Sequence, residues 1–386
     1  MMLGRSDRTL LGRWFWTIDR PLLAMILMLV GIGLIAVAAA SPAAAERLSG
    51  ANLRFGDLHF LKRQVVWVAI GVPLLIGTSM LPKLWIRRLA LLGVLIGIAA
   101  MAALPFVGVE KNGAVRWLLI AGNEVQPSEF LKPMFAITAA WVLALRFDDP
   151  KVPAISASAI LLGLIAALLV IQPDIGQTVL IAGMWTAQAF VAGLSLTLLG
   201  GLAITGIAGL VMAYLFVPHV TSRIDRFLTG EGDNYQVERS LDAMRSGGLF
   251  GTGPGEGQAK FSLPEPQTDY IFAVIGEEFG MIACLAIACL FLAIIVRVVT
   301  QLFEEDDPFV TLAATGLVVQ LGLQAFINMG VAMNLLPSKG MTLPFISHGG
   351  SSFLAMSIGM GALIALTRRR RFLTGNAGLD MRAAPA

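Results

Sequence analysis

The chain has 386 residues, of which 56% are hydrophobic and only 14% are charged, with a mean hydropathy of +0.78 and a formal net charge of +3. Soluble proteins carry about 25% charged residues, so this composition excludes a water-soluble globular protein and predicts an integral membrane protein. The basic residues form no nucleic-acid-binding signature.

Ten apolar runs along the chain predict an all-α, polytopic integral membrane protein with about ten transmembrane helices. The first run, Leu22 to Ala40, has 19 residues without a charge, close to the ~20 that a helix needs to cross the hydrocarbon layer. Only Gln172-Pro173-Asp174 separates the fifth run from the sixth. The runs are 22–40, 64–81, 88–106, 128–145, 155–172, 175–192, 197–217, 269–296, 309–333 and 346–367.

An even number of spans places both termini on the same side of the membrane. Arg368 to Arg371 follow the last run, and positive residues favour the cytoplasm, so we predict cytoplasmic termini. This divides the chain into a juxtamembrane segment (1–21), a ten-helix membrane domain (22–367) and a basic tail (368–386). The largest outer loop, 218–268, connects the seventh and eighth helices.

Polar residues concentrate where the eighth predicted helix begins. A glycine-rich loop, 247–257, leads to Lys260 and Glu265, and Asp269 opens the helix. The helix N-terminus favours an ionised carboxylate, whereas partial burial raises its pKa, and a poorly hydrated carboxylate can act as a general base. The alternative is that Thr268 or Asp269 is simply the N-cap residue of this helix.

Beyond Arg88 and Asp269, each the first residue of its run, four charged residues lie inside the predicted spans, where ionisable groups are costly and mark function by default. Glu277 and Glu278 follow Asp269 on the eighth helix, and their alternative role is a structural pair with another helix. Glu129 and Lys132 are three residues apart, so they share a helix face and can neutralise each other. A buried cation that faces outward could instead hold a pyrophosphate.

Three further residues are candidates for substrate binding. Arg116 precedes the fourth span, and Asp174 follows a proline that leaves backbone groups free, although it could be a plain turn residue. Ser351 belongs to a Gly-Gly-Ser-Ser sequence that enters the tenth span. Such small residues allow either close helix packing or a backbone anion-binding nest.

Several familiar sites are excluded by the sequence. The glycine-rich loop is not a P-loop, because no Gly-Lys-Ser/Thr follows it and no strand precedes it. There is no Gly-x-Ser-x-Gly nucleophile motif. The three histidines, His59, His219 and His348, lack the spacing of metal ligands, so we predict no protein metal site.

Four motifs together carry a resemblance to a known family. The sequences GAVRW…QPSEFLK, QPDIG, LPEPQTDYIFAVIGEE and LPFISHGGSS occur in this order between residues 113 and 352. In these motifs the chain resembles the SEDS family (FtsW/RodA type) of bacterial cell-wall polymerases, and its cell-division members more than its elongation members. Four positions depart from the family pattern without removing a carboxylate or a cation: Gln177, Gln267, Tyr270 and His348.

The resemblance implies a ten-helix peptidoglycan glycosyltransferase that polymerises lipid II into β-1,4 glycan strands at the septum of the bacterial inner membrane. It implies that Asp269 is the catalytic base. It also implies a single-span transpeptidase (a class B penicillin-binding protein) and other division proteins as partners. A divalent cation, Mg²⁺ or Mn²⁺, could assist, although no spacing requires one. The predicted substrate-binding residues are Arg116, Glu129, Lys132, Asp174, Lys260, Glu265 and Ser351.

Two other functions stay open from the sequence alone. A lipid II flippase would use Glu129, Lys132, Glu277 and Glu278 to line a polar path across the membrane. The candidate residues instead cluster on the outer side, which favours the polymerase. A non-catalytic division scaffold would tolerate the loss of Asp269.

Overall fold

The structure is a computed structural model that describes residues 9–49, 54–111, 114–120, 122–216, 221, 225, 235–337 and 340–368. Eight helices are long and apolar enough to span a membrane, and two more apolar helices have 17 residues each. These ten helices correspond to the ten predicted runs, which confirms the predicted fold class. Of the predicted basic tail, only Arg368 lies among the described residues.

The chain forms twelve α-helices and three strands within the described residues. Two of the helices, α1 and α9, lie outside the ten apolar runs and are amphipathic or polar. The bounds are α1 Leu10–Thr17, α2 Arg20–Leu48, α3 His59–Ser79, α4 Lys83–Val107, β1 Val109–Lys111, β2 Ala114–Ile120, β3 Asn123–Val125, α5 Pro127–Asp148, α6 Ala154–Ile171, α7 Ile175–Val191, α8 Leu196–Phe216, α9 Tyr235–Gly247, α10 Ile271–Leu302, α11 Pro308–Ala332 and α12 Gly350–Leu366.

Local sequence explains several of the helix ends. The Asp19 side chain caps α2 by accepting from the Leu22 amide, and proline follows at the first turn, where its missing N–H costs nothing. Helix α2 continues to Leu48, beyond the predicted end at Ala40, because the residues after Pro42, Ala-Ala-Ala-Glu-Arg-Leu, are all good helix formers. The predicted break between α6 and α7 is confirmed at residues 172–174.

One small sheet was not predicted from the sequence. Strands β1, β2 and β3 form an antiparallel meander in the loop between α4 and α5. Two of these strands have only three residues, too few for an alternating apolar pattern to register. The sheet carries Arg116 on its middle strand and thereby fixes this residue beside the helix ends.

Helices α5 and α11 form the centre of the molecule. Helix α5 packs against α4, α6, α11 and α12, and α12 also packs along α3. By contrast, none of the described residues of α8 is buried, although the helix is apolar throughout. The described residues of α8 therefore leave most of their surface open to lipid.

Contacts between loops agree with the alternating direction of ten spans. At one end of the bundle, Lys83 pairs with Asp307 at 2.5 Å and Arg297 pairs with Asp19 at 2.8 Å. At the other end, the Arg47 guanidinium donates to the Leu263 carbonyl at 2.8 Å. Each contact joins segments that the ten-span prediction places on the same side. Which end faces the cytoplasm stays a prediction.

Helix α10 is broken near its outer end. Gly280 adopts a φ of 80°, and the loop 247–253 supplies the hydrogen bonds that the helix loses there. Thr252 and Gly253 donate to the carbonyls of Glu277 and Glu278 at 2.9 and 3.1 Å. The amides of residues 281 and 282 donate to the carbonyls of residues 248 and 249 at 3.0 and 3.3 Å. The glycine-rich loop thus replaces backbone hydrogen bonds of a transmembrane helix at the point where that helix is broken.

We expect Gly280→Ala to destabilise the protein. A Cβ at this position would lie 2.3 Å from the Leu249 carbonyl oxygen, and a φ of +80° disfavours any side chain. The expected loss is about 1–3 kcal/mol, measured by thermal unfolding in lipid nanodiscs. The matched control is Gly163→Ala, where a Cβ meets nothing within 4 Å. Equal melting temperatures for the two variants would contradict the role given to Gly280.

Candidate functional site

Asp269 lies just outside the N-terminus of α10. Tyr270 occupies the N-cap position and makes no side-chain capping bond, and Ile271 is the first helical residue. The alternative in which Thr268 or Asp269 is the N-cap residue is therefore wrong, because the helix begins later than predicted. The Thr268 hydroxyl donates instead to the Glu265 carboxylate at 2.9 Å.

The backbone around Asp269 is fastened to α11 and to the segment before α12. The buried Asn328 amide donates to the Asp269 carbonyl at 2.9 Å and to the Met341 carbonyl at 2.5 Å. The half-buried Asp269 carboxylate lies against Gly340, where a Cβ would be 2.7 Å from Oδ2. Gly340 therefore leaves room for this carboxylate.

Two further hydrogen bonds fix residues 267–269, and both donors lie in the loop that leads into α12. The Ser347 hydroxyl donates to the Thr268 carbonyl at 2.6 Å, and the His348 amide donates to the Gln267 carbonyl at 2.8 Å. The conformation of residues 267–269 thus depends on this loop, not only on α10.

A buried polar network extends from this loop to α5 and α7. Gln324, one turn before Asn328 on α11, donates to the Thr342 carbonyl at 3.1 Å. Its carbonyl oxygen accepts from the Lys132 ammonium at 2.9 Å, and Lys132 also pairs with Glu129 at 2.9 Å. Glu129 also accepts a bond from Gln177 at 2.8 Å. One connected network therefore joins the Asp269 segment to the predicted residues Glu129 and Lys132.

Arg116 and Asp174 stabilise the turn between α6 and α7, at the edge of this network. Asp174 is the N-cap residue of α7, and its carboxylate accepts from the Gln177 amide at 3.4 Å. The half-buried Arg116 guanidinium donates to the carbonyls of Gln172 and Pro173 at 3.0 and 2.5 Å. Both residues are close to the network, and the hydrogen bonds described above hold the turn between α6 and α7.

Lys260, Glu277 and Glu278 form a separate buried cluster. The Lys260 ammonium pairs with Glu278, while Glu277 accepts from the amides of Ala259 and Lys260 at 2.7 and 2.8 Å. The Lys260 side chain is 1% exposed, so the prediction that it contacts substrate does not fit this position. The two glutamates instead hold residues 259–260 against α10, which agrees with their structural alternative.

Lys132 is buried in the same way. Its side chain is 0% exposed, and its charge is taken up by Glu129 and Gln324. Direct contact with a pyrophosphate does not fit this geometry, because a buried and paired ammonium has no face toward an outer cavity. Lys132 and Glu129 are better described as residues that position the network.

The two remaining predicted residues differ in exposure. Glu265 is exposed and adopts a φ of 49°, a left-handed conformation that non-glycine residues adopt rarely and at a cost. Ser351 is buried in the first turn of α12, and its neighbour Ser352 bonds Thr342 at 2.7 Å. Glu265 is therefore accessible to a substrate, whereas Ser351 lies within the packed end of α12.

The sequence analysis missed Gln324 and Asn328, which connect the site. A signal was present, because Gln320, Gln324 and Asn328 recur every four residues in an apolar helix and so share one face. All three are 1% exposed. Polar side chains buried at this spacing require partners on neighbouring helices.

The described residues contain no group of three or more His, Cys, Asp or Glu side chains that could hold a metal ion. The side chains in this part of the chain therefore do not form a protein cage for a divalent cation. Mg²⁺ often binds through one or two carboxylates together with the phosphates of a substrate. Asp269 is the carboxylate of the site that such a mode would use.

We expect the stability of the site to depend on the protonation of His348. Burial of the ring, together with the charges of Arg63 and His59, lowers the His348 pKa to about 4. The unfolded chain, with an ordinary histidine pKa of about 6.5, binds the proton more readily. The stabilising contribution is therefore present above pH 6.5 and is lost as the pH falls toward 4.

The measurement is the melting temperature of the protein in nanodiscs between pH 7.5 and 4. The His348→Gln variant should lose part of the wild-type pH dependence. A His348→Gln variant with the full wild-type dependence would exclude this residue as the titrating group.

The chain is similar to known proteins along nearly its whole length. Residues 20–372 match a family described as cell cycle protein, FtsW/RodA/SpoVE. The probable peptidoglycan glycosyltransferase FtsW of Caulobacter vibrioides is 43% identical over 376 residues, covering 97% of this chain and 95% of the relative. Stage V sporulation protein E of Bacillus subtilis is 33% identical over 372 residues, covering 92% and 98% of the two chains.

Two solved structures are also similar. One, described as structural coordination of polymerization and crosslinking by a peptidoglycan synthase complex, has a TM-score of 0.75 and 24% identity, covering 91% of this chain and 97% of that one. The rod shape determining protein RodA of Thermus thermophilus has a TM-score of 0.65 and 23% identity, covering 91% and 96%. At these identities the similarity establishes the fold alone.

Proposed function

The chain belongs to the FtsW/RodA/SpoVE family of cell cycle proteins, and from this premise we propose that it is a peptidoglycan glycosyltransferase that polymerises lipid II. The observation that carries the proposal is the half-buried Asp269, whose backbone segment is held by α11 and by the loop before α12, next to the N-terminus of a broken transmembrane helix. The relatives named as probable peptidoglycan glycosyltransferases support the reaction class.

The reaction joins two lipid-linked saccharides with inversion at one carbon. The 4-hydroxyl of an acceptor GlcNAc attacks the anomeric carbon of a donor MurNAc, a new C–O bond forms, and the bond to the pyrophosphate breaks. Such a displacement needs one base for the acceptor proton, as in inverting glycoside chemistry. We assign that role to Asp269, whose carboxylate takes the hydroxyl proton as the bond forms.

The leaving pyrophosphate needs positive charge rather than a proton. Among the predicted cations, Lys132 and Lys260 are buried in ion pairs, which leaves Arg116 as the half-buried candidate. Arg116 would have to share its guanidinium between the carbonyls of the α6–α7 turn and a phosphate oxygen. A bound Mg²⁺ or Mn²⁺ would supply further charge, and no step of the proposal depends on it.

The proposal includes a location and a partner. A multi-pass protein of this family fits the bacterial inner membrane, with both termini in the cytoplasm and a site of action at the septum. A single-span transpeptidase, a class B penicillin-binding protein, would crosslink the strands that this chain makes. One structural neighbour belongs to a peptidoglycan synthase complex that coordinates polymerization with crosslinking, which supports such a partner.

One observation bears on the flippase alternative. Polar side chains reach deeper than the sequence analysis expected, because Gln320 of α11 and Gln188 of α7 are also buried. The Gln188 amide donates to the carbonyls of Ala136 and Leu312 at 2.7 and 3.0 Å, so it bridges two packed helices. These buried side chains pack between helices and do not line an open path across the membrane, which favours the polymerase over transport.

The test is polymer formation from labelled lipid II, with products separated by length. The protein is assayed in nanodiscs with and without its transpeptidase partner, and lipid II movement is assayed in proteoliposomes. We expect glycan strands and no movement above that of empty vesicles. Movement without polymer, in the presence of the partner, would replace the polymerase by the flippase.

A further inference from the structure

A cavity of about 630 Å³ lies beside the candidate site, at the outer end of α2. Its volume is in the ~300–1,000 Å³ range of pockets that bind small ligands. The walls come from α2, from the segment 54–57 and from the turn that precedes residue 263. The lining residues are Pro42, Glu46, Ser49, Arg54, Phe55, Asp57 and Phe261.

The walls of this cavity are fixed by hydrogen bonds. The Ser49 hydroxyl accepts from the Phe55 amide at 3.0 Å, and the Ser41 hydroxyl donates to the Asp57 carbonyl at 2.6 Å. The Arg47 guanidinium holds the opposite wall through the Leu263 carbonyl at 2.8 Å. These hydrogen bonds therefore fix the end of α2 and the turn that contains Phe261 relative to each other, and with them the walls of the cavity.

The lining indicates the chemistry of the ligand. Two phenyl rings, Phe55 and Phe261, offer apolar faces, while Glu46, Asp57 and Arg54 offer acceptors and donors. Three charged groups at the wall disfavour an acyl chain, and two carboxylates against one guanidinium disfavour an anion such as pyrophosphate. A neutral polyhydroxylated ring fits, because its C–H face packs on an aromatic ring and its hydroxyls donate to carboxylates.

Two physical connections join the cavity to Asp269. Phe261 lies eight residues before Asp269, on the same loop that Arg47 holds. On the other wall, a series of ring contacts runs from Phe55 to His59 at 4.7 Å, on to Phe60 at 5.3 Å and then to His348 at 5.4 Å. The His348 amide in turn bonds the residue two positions before Asp269.

We propose that this cavity binds a saccharide unit of the growing glycan strand, one or more sugars away from the bond that forms at Asp269. The inference rests on the proposed function for the identity of the saccharide. Its physical role is to retain the strand between additions, because a product held by a second contact dissociates more slowly than one held at the reacting end alone.

The test uses Phe→Leu variants, which remove an aromatic ring and keep an apolar side chain, and compares them with the wild type. The Phe55→Leu/Phe261→Leu double variant removes both ring faces, and Phe106→Leu, an 86% exposed phenylalanine at the outer end of α4, is the matched control. The complex with the transpeptidase is used throughout. The probe is a neutral, lipid-free β-1,4-linked GlcNAc tetrasaccharide, whose binding is followed by saturation-transfer NMR. The second readout is the length of the glycan made from labelled lipid II.

We expect the double variant to bind the tetrasaccharide about tenfold more weakly and to make shorter strands than the wild type and Phe106→Leu. Unchanged affinity and unchanged strand length in the double variant would overturn the inference, with the polymerase function intact. Binding of peptide-bearing fragments alone would overturn it too, since the cavity would then recognise the peptide. If the wild type binds the tetrasaccharide but makes no polymer, the proposed function fails and the saccharide site stands.

Discussion

Asp269→Asn is expected to abolish glycan polymerisation while the protein stays folded. The carboxamide has nearly the same shape as the carboxylate, so the bond from Asn328 to the backbone of residue 269 and the contact with Gly340 are kept. It cannot accept the proton of the acceptor hydroxyl. A positioned general base contributes about 10²–10⁴-fold to the rate, and we expect a loss in that range.

The measurement is the initial rate of polymer formation from labelled lipid II, with the transpeptidase present. Melting temperature is measured on the same samples to separate chemistry from folding. The matched control is Asp242→Asn, an exposed aspartate of α9 whose carboxylate is 3.7 Å from Arg239. If Asp269→Asn polymerises at the rate of this control, another group is the base and the role assigned to Asp269 is wrong.

Lys132→Met is expected to cause the largest loss of stability. The replacement leaves Glu129 as a buried carboxylate without its cation and removes the donor to Gln324. Breaking one partner of a buried ion pair costs about 3–5 kcal/mol, because the remaining charge stays desolvated. We expect this loss in the free energy of unfolding, measured in nanodiscs with a denaturing detergent titration.

Two variants test this explanation. Lys83→Met breaks a partly exposed pair with Asp307 at the other end of the bundle, where the expected cost is at most about 1 kcal/mol. The double variant Glu129→Gln/Lys132→Met removes the buried charge and should recover part of the stability. A double variant less stable than Lys132→Met would show that the uncompensated charge is not the cause.

The architecture was accessible from the sequence because lipid enforces it. Long uncharged runs such as Leu22 to Ala40 can only be helices in hydrocarbon, where every backbone group must be bonded internally. The short break at Gln172-Pro173-Asp174 was also predictable, since proline interrupts a helix. The sheet around Arg116 was not predictable from the sequence. Two of its strands have only three residues, which is too short for a periodic pattern of apolar side chains.

The sequence predicted several residues of the site but not their roles. Glu129 and Lys132 were identified as costly charges and Asp174 as a candidate for substrate binding, and the structure brings them into one region. Their partners, Gln324 of α11 and Gln177 of α7, are distant in sequence. Only the packing of three helices decides whether a lysine faces a substrate or a glutamate, and in this structure Lys132 and Lys260 both pair with glutamates.

The break at Gly280 also has a consequence for biosynthesis. Loop 247–253 precedes α10 in the chain, so the ribosome makes the loop before the helix that it completes. Before the loop docks, the carbonyls of Glu277 and Glu278 can bond the amides of residues 281 and 282, which lie four residues later, as in a continuous helix. Unsatisfied backbone groups in hydrocarbon cost several kcal/mol each, so we expect α10 to enter the bilayer in that continuous form. The break at Gly280 therefore forms only when the loop docks, and insertion of a foreign segment between residues 253 and 270 should delay that step.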